Sequence, residues 1–482
     1  MRDAIPAFRY RRSLPVLALF LLILPACGGG DGGTDPLPTG EYSNTIQPIF
    51  NRSCIASCHS PGNTEDESEL DLTTWDALIL GSKNGEILIP FRPDQSHLID
   101  HITGVATPRM PLSRDPLPNS EVDILERWVL DGARNDAGEV PYADLARKIY
   151  VANQGSDEIS VLSLDGFLVT RIVTVGSDPA SIESPHNIWL DGPGDRWYVT
   201  LISNPGQLAQ YDAENDSLLG TVAVGNSPAN GVTTSDGSKV FVTNWDETTG
   251  AIGYVTVVDA ATMTVVETIQ VGGQPHGIAI SSDDTRLYTT NYHSDDISVV
   301  DLTQDPPVEI SRIPVAADVN PLAPRQYLPN EVIPSRDGRF LFVVLNKAGR
   351  SDLRVIDLAG DSLYTVIPTG GAGFLADLTP DGTELYVADW NARSVTVINT
   401  TTLTRVATIT DPYFAFPHGV AFTPDGRYAL VTNENQSGAA PAHHPTEGGS
   451  PRGNITIIDT QTRQVVKAID LEPFSAGIAV KF

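Results

Sequence analysis

The stretch that decides the fold runs from Gly277-Ile278-Ala279-Ile280 through Asp283-Asp284, Leu287-Tyr288-Thr289-Thr290-Asn291 and Ile297-Ser298-Val299-Val300-Asp301 to Ile310–Val315. Four short β-branched runs alternate with Asp-rich turns. Period-two alternation between turns predicts a twisted antiparallel sheet of four strands. The second run then returns along the chain, as Ile149-Tyr150-Val151-Ala152-Asn153, Trp197-Tyr198-Val199-Thr200 and Val240-Phe241-Val242-Thr243-Asn244. It returns again as Leu341-Phe342-Val343-Val344, Leu385-Tyr386-Val387-Ala388-Asp389 and Ala429-Leu430-Val431-Thr432-Asn433. Seven copies at a spacing of roughly 43–54 residues predict a mainly β chain with a seven-bladed β-propeller over 145–482. The first copy begins at its second strand, and Ala476-Gly477-Ile478-Ala479-Val480 reads as a lone first strand. Pairing the two would close the ring and remove its open sheet edges.

This repeat resembles the YVTN family of seven-bladed propellers over about 70% of the chain, a likeness specific for fold and weak for function. Each first strand lines the central channel. His186, His276 and His418 stand at the starts of blades two, four and seven, Asn330 at that of blade five, and Ala476, Ala229 and Phe374 in blades one, three and six. Turns on the same rim carry Trp245, Tyr292, His293 and Trp390, and blade seven has an insertion from Glu434 to Gly453 with His443-His444. One reading of His186, His276, His418 and Asn330 is a metal, substrate or second-cofactor site at the channel mouth. The other is a structural cap in which each Pro-His start bonds its neighbouring blade. The histidines are unevenly spread round the ring, and metal ligands must converge to about 2 Å from one ion.

Ahead of the repeat stands Cys54-Ile55-Ala56-Ser57-Cys58-His59. Two cysteines followed at once by a histidine is the attachment pattern of a c-type haem, here with three residues between the cysteines rather than two. A disulfide or half of a zinc site is the alternative, but zinc needs four ligands and a disulfide leaves His59 without a role. Met110, in Thr107-Pro108-Arg109-Met110-Pro111, is the one methionine between Met1 and Met263, and a thioether there would complete a His/Met pair on the iron. Ile46-Gln47-Pro48-Ile49-Phe50 leads into the motif as a helix. Pro118-Asn119-Ser120-Glu121 caps a second helix with Val122, Leu125, Trp128 and Val129 on one face, ending at Gly132. Residues 41–140 therefore form a small all-α domain. These segments resemble a bacterial monohaem cytochrome c domain of class I type. That resemblance implies one covalent haem c per chain, joined to Cys54 and Cys58, with His59 and Met110 on the iron and one-electron transfer as its chemistry.

Residues 1–26 read as an export signal: Arg9, Arg11 and Arg12 precede an apolar run from Leu14 to Leu24, too short to span a bilayer stably. Leu24-Pro25-Ala26-Cys27 resembles a bacterial lipobox, which implies lipidation of Cys27 and a tether over 27–40. The Gly28 that follows points to the outer membrane. A plain secretory peptide is the alternative. Sixty acidic against 31 basic residues give a net charge of −29, which repels nucleic acid and anionic bilayers and favours a basic protein partner.

The expected protein is thus a lipid-anchored cytochrome on the periplasmic side, which touches the bilayer only through its anchor. It passes electrons to a redox partner while the propeller serves as docking platform. The alternative is a periplasmic oxidoreductase with its substrate or second cofactor at the channel mouth and the haem as relay. Exported nitrite reductases offer that analogy, although theirs has eight blades and a second haem. A surface adhesin with an incidental haem is a third reading.

Overall fold

The computed structural model describes residues 41–55, 58–62, 68–176, 181–203, 205–320, 322–441 and 451–482. Cys27, the signal segment and His443-His444 lie outside these residues. All the described residues belong to one compact unit.

The strands form seven four-stranded antiparallel sheets. Six are built from consecutive strands. The seventh pairs β28 (Ser475–Lys481) with β1 (Lys148–Asn153), followed by β2 (Glu158–Ser163) and β3 (Val169–Thr174). In that seam Lys148 faces Lys481 and Val151 faces Ile478, so the C-terminal strand closes blade one as the repeat predicts. Second strands are apolar on both faces because each is covered by a blade on either side; Phe340–Leu345, with the sequence FLFVVL, is buried throughout. Outer strands alternate, as in Val308–Pro314.

The recurrent Thr and Asn of the second strands have separate tasks. The threonine hydroxyl reaches across to the first strand of the next blade. Thr200 donates to the Ala229 carbonyl at 2.8 Å, Thr243 to His276 at 2.8 Å and Thr290 to Asn330 at 3.1 Å, and Thr432 bonds Ala476. The asparagine stays within its own blade: Asn153 bonds Ser160, Asn244 bonds Thr256 and Asn291 bonds Ser298. Buried polar groups are thereby satisfied at each blade junction.

The described helical elements all precede the propeller. Turns over Tyr42–Ile46 and Asn51–Ile55 flank α1 (Gln47–Phe50), and α2 (Trp75–Ile79), α3 (His97–Thr103) and α4 (Asn119–Leu130) follow. The residues at helical spacing on α4, Leu125, Trp128 and Val129, are buried, and the chain leaves the helix through Gly132 at φ 98°. Trp128 is the centre of the core: its ring lies 5.6 Å from Tyr42 and 6.5 Å from Phe50, and Ile46, Leu78 and Ile102 pack beside it. Its indole N–H donates to the Arg134 carbonyl at 3.0 Å.

This helical part is fastened to the seam blade and its neighbour. Ile89 is buried among Ile149, Leu162, Val169, Ile457 and Ile469. Glu86 accepts the Val169 amide at 3.0 Å, and Arg92 and Gln95 each reach Glu158 at 2.8 Å.

Candidate haem site and propeller channel

The attachment motif begins on the helical turn Asn51–Ile55. Cys54 packs against the Trp128 core, and Cys58 follows four residues on. Burial is the main reason that the Cys54 thiol is pushed up to about 11; Cys58 adds to the effect, and Arg114 and Arg52 oppose it. Arg114 stands four residues beyond Met110, so the methionine segment comes near enough to the motif for this charge to act on it. His59 is held at both ends of its peptide unit. Its amide donates to the Cys54 carbonyl at 3.1 Å, and its carbonyl accepts from Leu72 at 3.2 Å. Met110 is half-buried, and its amide donates to the His101 carbonyl at 2.9 Å. The His101 ring in turn bonds the Pro108 carbonyl through Nδ1 at 2.7 Å. Two thiols, one of them against an apolar core, an imidazole between fixed peptide bonds and a thioether on a braced segment make a donor set whose chemistry fits haem c. Cys54 and Cys58 would hold the macrocycle, with His59 and Met110 on the iron.

In the channel, the uneven spacing of the histidines round the ring does not keep them apart. First strands converge on one axis, and the rings of His186 and His276 lie 5.9 Å apart, those of His186 and His418 5.4 Å, and those of Phe374 and His418 4.0 Å. His186, His276 and His418 are 6%, 6% and 1% exposed. The His276 Nδ1 donates to the Asn330 carbonyl at 2.9 Å, and the Asn330 side chain donates to the Phe374 carbonyl at 2.8 Å. His186 Nδ1 meets the Gln154 amide oxygen of blade one at 3.0 Å. His276 and His186 thus behave as the interblade caps of the second reading. His418 does not: neither ring nitrogen has a hydrogen bond, and the nearest carboxylate oxygen, on Glu434, is 3.8 Å from Nε2. Burial pushes His186 down to about 3 and His276 to about 4, and holds His418 well below the usual imidazole range, so all three rings are neutral. Among the described residues no three His, Cys, Asp or Glu stand close enough to hold a metal ion.

Sequence reasoning missed the carboxyl groups around this cluster. Glu434 accepts the Trp390 indole N–H at 3.0 Å and the Gln436 amide, and burial raises it to about 8. Along the channel wall Asn187 donates to Asn230, and Asn230 to Glu331, both at 2.9 Å. Burial lifts Glu331 to about 8 and Asp377 to about 7. For Glu331 and Asp377 the signal that could have found them is an acidic residue in a first strand, at a position where the other blades carry Asn, Gly or Leu for the former and Trp, Val, Ile or Ala for the latter.

Residues 54–112 match the family described as Planctomycete cytochrome C, a span that runs from Cys54 past Met110. Residues 143–477 match the cytochrome D1 heme domain. The family that matches the repeat is thus the cytochrome D1 heme domain and not the YVTN propellers that the repeat resembles. No curated protein matches the chain. Among solved structures, a functionally unknown protein from Desulfotomaculum acetoxidans is 15% identical with TM-score 0.54, over 69% of this chain and 98% of that one. Dihydro-heme d1 dehydrogenase NirN in complex with DHE is 16% identical with TM-score 0.49, over 90% of this chain and 98% of that one. Hydrazine synthase from Kuenenia stuttgartiensis is 23% identical with TM-score 0.47, over 59% of this chain and 81% of that one. At such identities the likeness to the Desulfotomaculum protein speaks for the propeller fold alone. The D1 match spans well over half of the residues, and the chain accordingly belongs to the cytochrome D1 heme domain family, with a cytochrome c segment that implies covalent haem c ahead of its propeller.

Proposed function

We propose that this chain is an exported electron carrier, lipid-anchored through Cys27 on the periplasmic side of a bacterial membrane, with one covalent haem c. The observation that carries the reading is the cytochrome match over 54–112, which takes in Cys54, Cys58, His59 and Met110 together. The haem, when bound, supplies a one-electron couple whose potential a His/Met pair raises. The chain's own part is to fix the ligands. The Leu72 amide and the Cys54 carbonyl hold the His59 peptide, and the His101 carbonyl holds that of Met110. With His59 and Met110 both holding the iron, a bound haem would carry electrons and leave bond-making to other groups. The propeller serves as a rigid docking platform, and the net charge of −29 selects a basic redox partner.

The test is an absorption spectrum of protein matured in a host that attaches c-type haem, oxidised and reduced, beside Met110→Ala. A low-spin spectrum with the weak charge-transfer band of Met-ligated ferric iron, lost in the variant, is expected. A high-spin spectrum, or one that the substitution leaves unchanged, would overturn the assignment of Met110. An oxidoreductase with its substrate at the channel mouth is the second reading, favoured by the convergence of His186, His276 and His418.

A further inference from the structure

Membership in the D1 family implies a second, non-covalent haem in the propeller, and the centre of this propeller can be tested for it. A planar macrocycle held between two side-chain rings needs van der Waals contact on both faces, about 3.5 Å each, or roughly 7 Å between ring centroids. The neighbouring pairs at the axis fall short of that. His186–His276 is 5.9 Å, His186–His418 5.4 Å, His276–Phe374 6.0 Å and Phe374–His418 4.0 Å. Three of these four pairs are edge-to-face, at 80°, 87° and 82°, so each ring's edge fills the space above its neighbour's face.

A macrocycle lying over the cluster, with one histidine beneath it, meets a different obstacle. His418 is 1% exposed, and both of its nitrogens are buried. His186 and His276 are 6% exposed and tied at Nδ1 to the adjoining blade. Asn330 carries that tie on to the Phe374 backbone, so moving one ring outward disturbs blades four, five and six together.

We infer that His186, His276, His418 and Phe374 form a closed aromatic plug that braces the propeller at its axis, and that this propeller holds no second haem. The residues present do not fit the group that the family implies. The plug joins blades two, four, six and seven side chain to side chain. It also removes the cofactor form of the second functional reading, while a substrate at the outer mouth stays compatible with it.

The test is a count of iron and macrocycles in protein purified from its own cells, where any haem available to the family can be loaded. Acidified organic solvent extracts non-covalent haem and leaves thioether-linked haem with the polypeptide. One iron per chain, all of it in the protein fraction, is the expected result. An extractable macrocycle near one per chain, lost in His276→Ala or His186→Ala, overturns the plug. The same variants supply a second readout. If the rings are a brace, His276→Ala lowers the melting temperature and leaves iron content and visible spectrum as in the parent protein. Melting unchanged and iron reduced is the opposite result. A protein fraction devoid of iron would instead defeat the haem c assignment, so the two failures are told apart.

Discussion

In the propeller the same contact is made many times over, whereas in the helical part each contact is made once. The threonine that reaches the next blade recurs at Thr200, Thr243, Thr290 and Thr432, and the asparagine that ties second strand to third recurs at Asn153, Asn244 and Asn291. Loss of one copy leaves its equivalents in place. The helical core has no such reserve: Tyr42, Phe50 and the α4 residues meet on the single ring of Trp128. Repetition makes a fold tolerant in its bulk and vulnerable wherever the pattern is interrupted. In this propeller the interruption is the seam, where the chain closes the ring with a strand about 330 residues away in sequence.

Deleting residues 475–482 is accordingly the largest perturbation this comparison predicts. Without β28 the edge of β1 is open along Lys148–Val151, and Ala476 no longer accepts from Thr432. The expected outcome is loss of the cooperative melting transition followed by circular dichroism, or aggregation through the exposed edge. A melting curve unchanged from the full chain would show that the ring closes without its last strand.

A smaller effect, still larger than that of a repeated contact, belongs to Asp216. It lies between blades one and two with its side chain 1% exposed, and it holds Lys148 at 3.0 Å and Arg171 at 2.8 Å. Its other oxygen accepts from Tyr150 at 2.9 Å. Asp216→Asn leaves the 2%-exposed Lys148 ammonium with two backbone carbonyls, at Ala213 and Glu214, but no counter-charge. Breaking a buried pair on one side costs about 3–5 kcal/mol. Denaturant unfolding of the variant is the measurement, and a loss below about 1 kcal/mol would place Asp216 among the replaceable contacts.

What the sequence discloses about these two regions follows from the same contrast. Blade number, the lone C-terminal strand and the burial of second strands are legible because a period repeated through the chain averages out local noise. Helix α4 is legible for a related reason: Leu125, Trp128 and Val129 keep helical spacing behind Pro118. The meeting of His186, His276 and His418 is not, because distance along a repeat says which blade a residue enters and nothing of how far its ring reaches toward a shared axis. The uneven spread that counted against convergence was a fact about the rim; at the centre it loses its force. The haem donors Cys54, Cys58 and His59 stand out because a local motif needs no tertiary information. The character of Glu434, 3.8 Å from His418, and of Glu86, between helical part and propeller, is invisible because each owes it to burial that only the fold creates.

Glu86 also gives the finest test of how the unrepeated region is held. It is 4% exposed at the joint, accepts the Val169 amide, and lies 4.0 Å from His97 Nε2. The charges of Lys467 and Arg452, from blade seven, act on it, and Tyr142 is the other titratable group affected by it. Burial outweighs these partners and raises the carboxyl from 4.5 to about 7. Below the lower value both folded and unfolded chains keep the proton. As pH rises between the two, the unfolded chain releases it while the folded chain holds it, so stability falls; above about 7 the loss is complete. Glu86→Gln keeps an acceptor for Val169 and removes the ionisation. The variant should match the parent protein near pH 4.5 and exceed it by about 2–3 kcal/mol near pH 8, read as a widening gap between denaturation midpoints. Parallel pH curves for the two proteins would mean that the Glu86 charge is already matched by Lys467 and Arg452. The joint would then be an ordinary ion-paired interface and not one that alkaline conditions loosen.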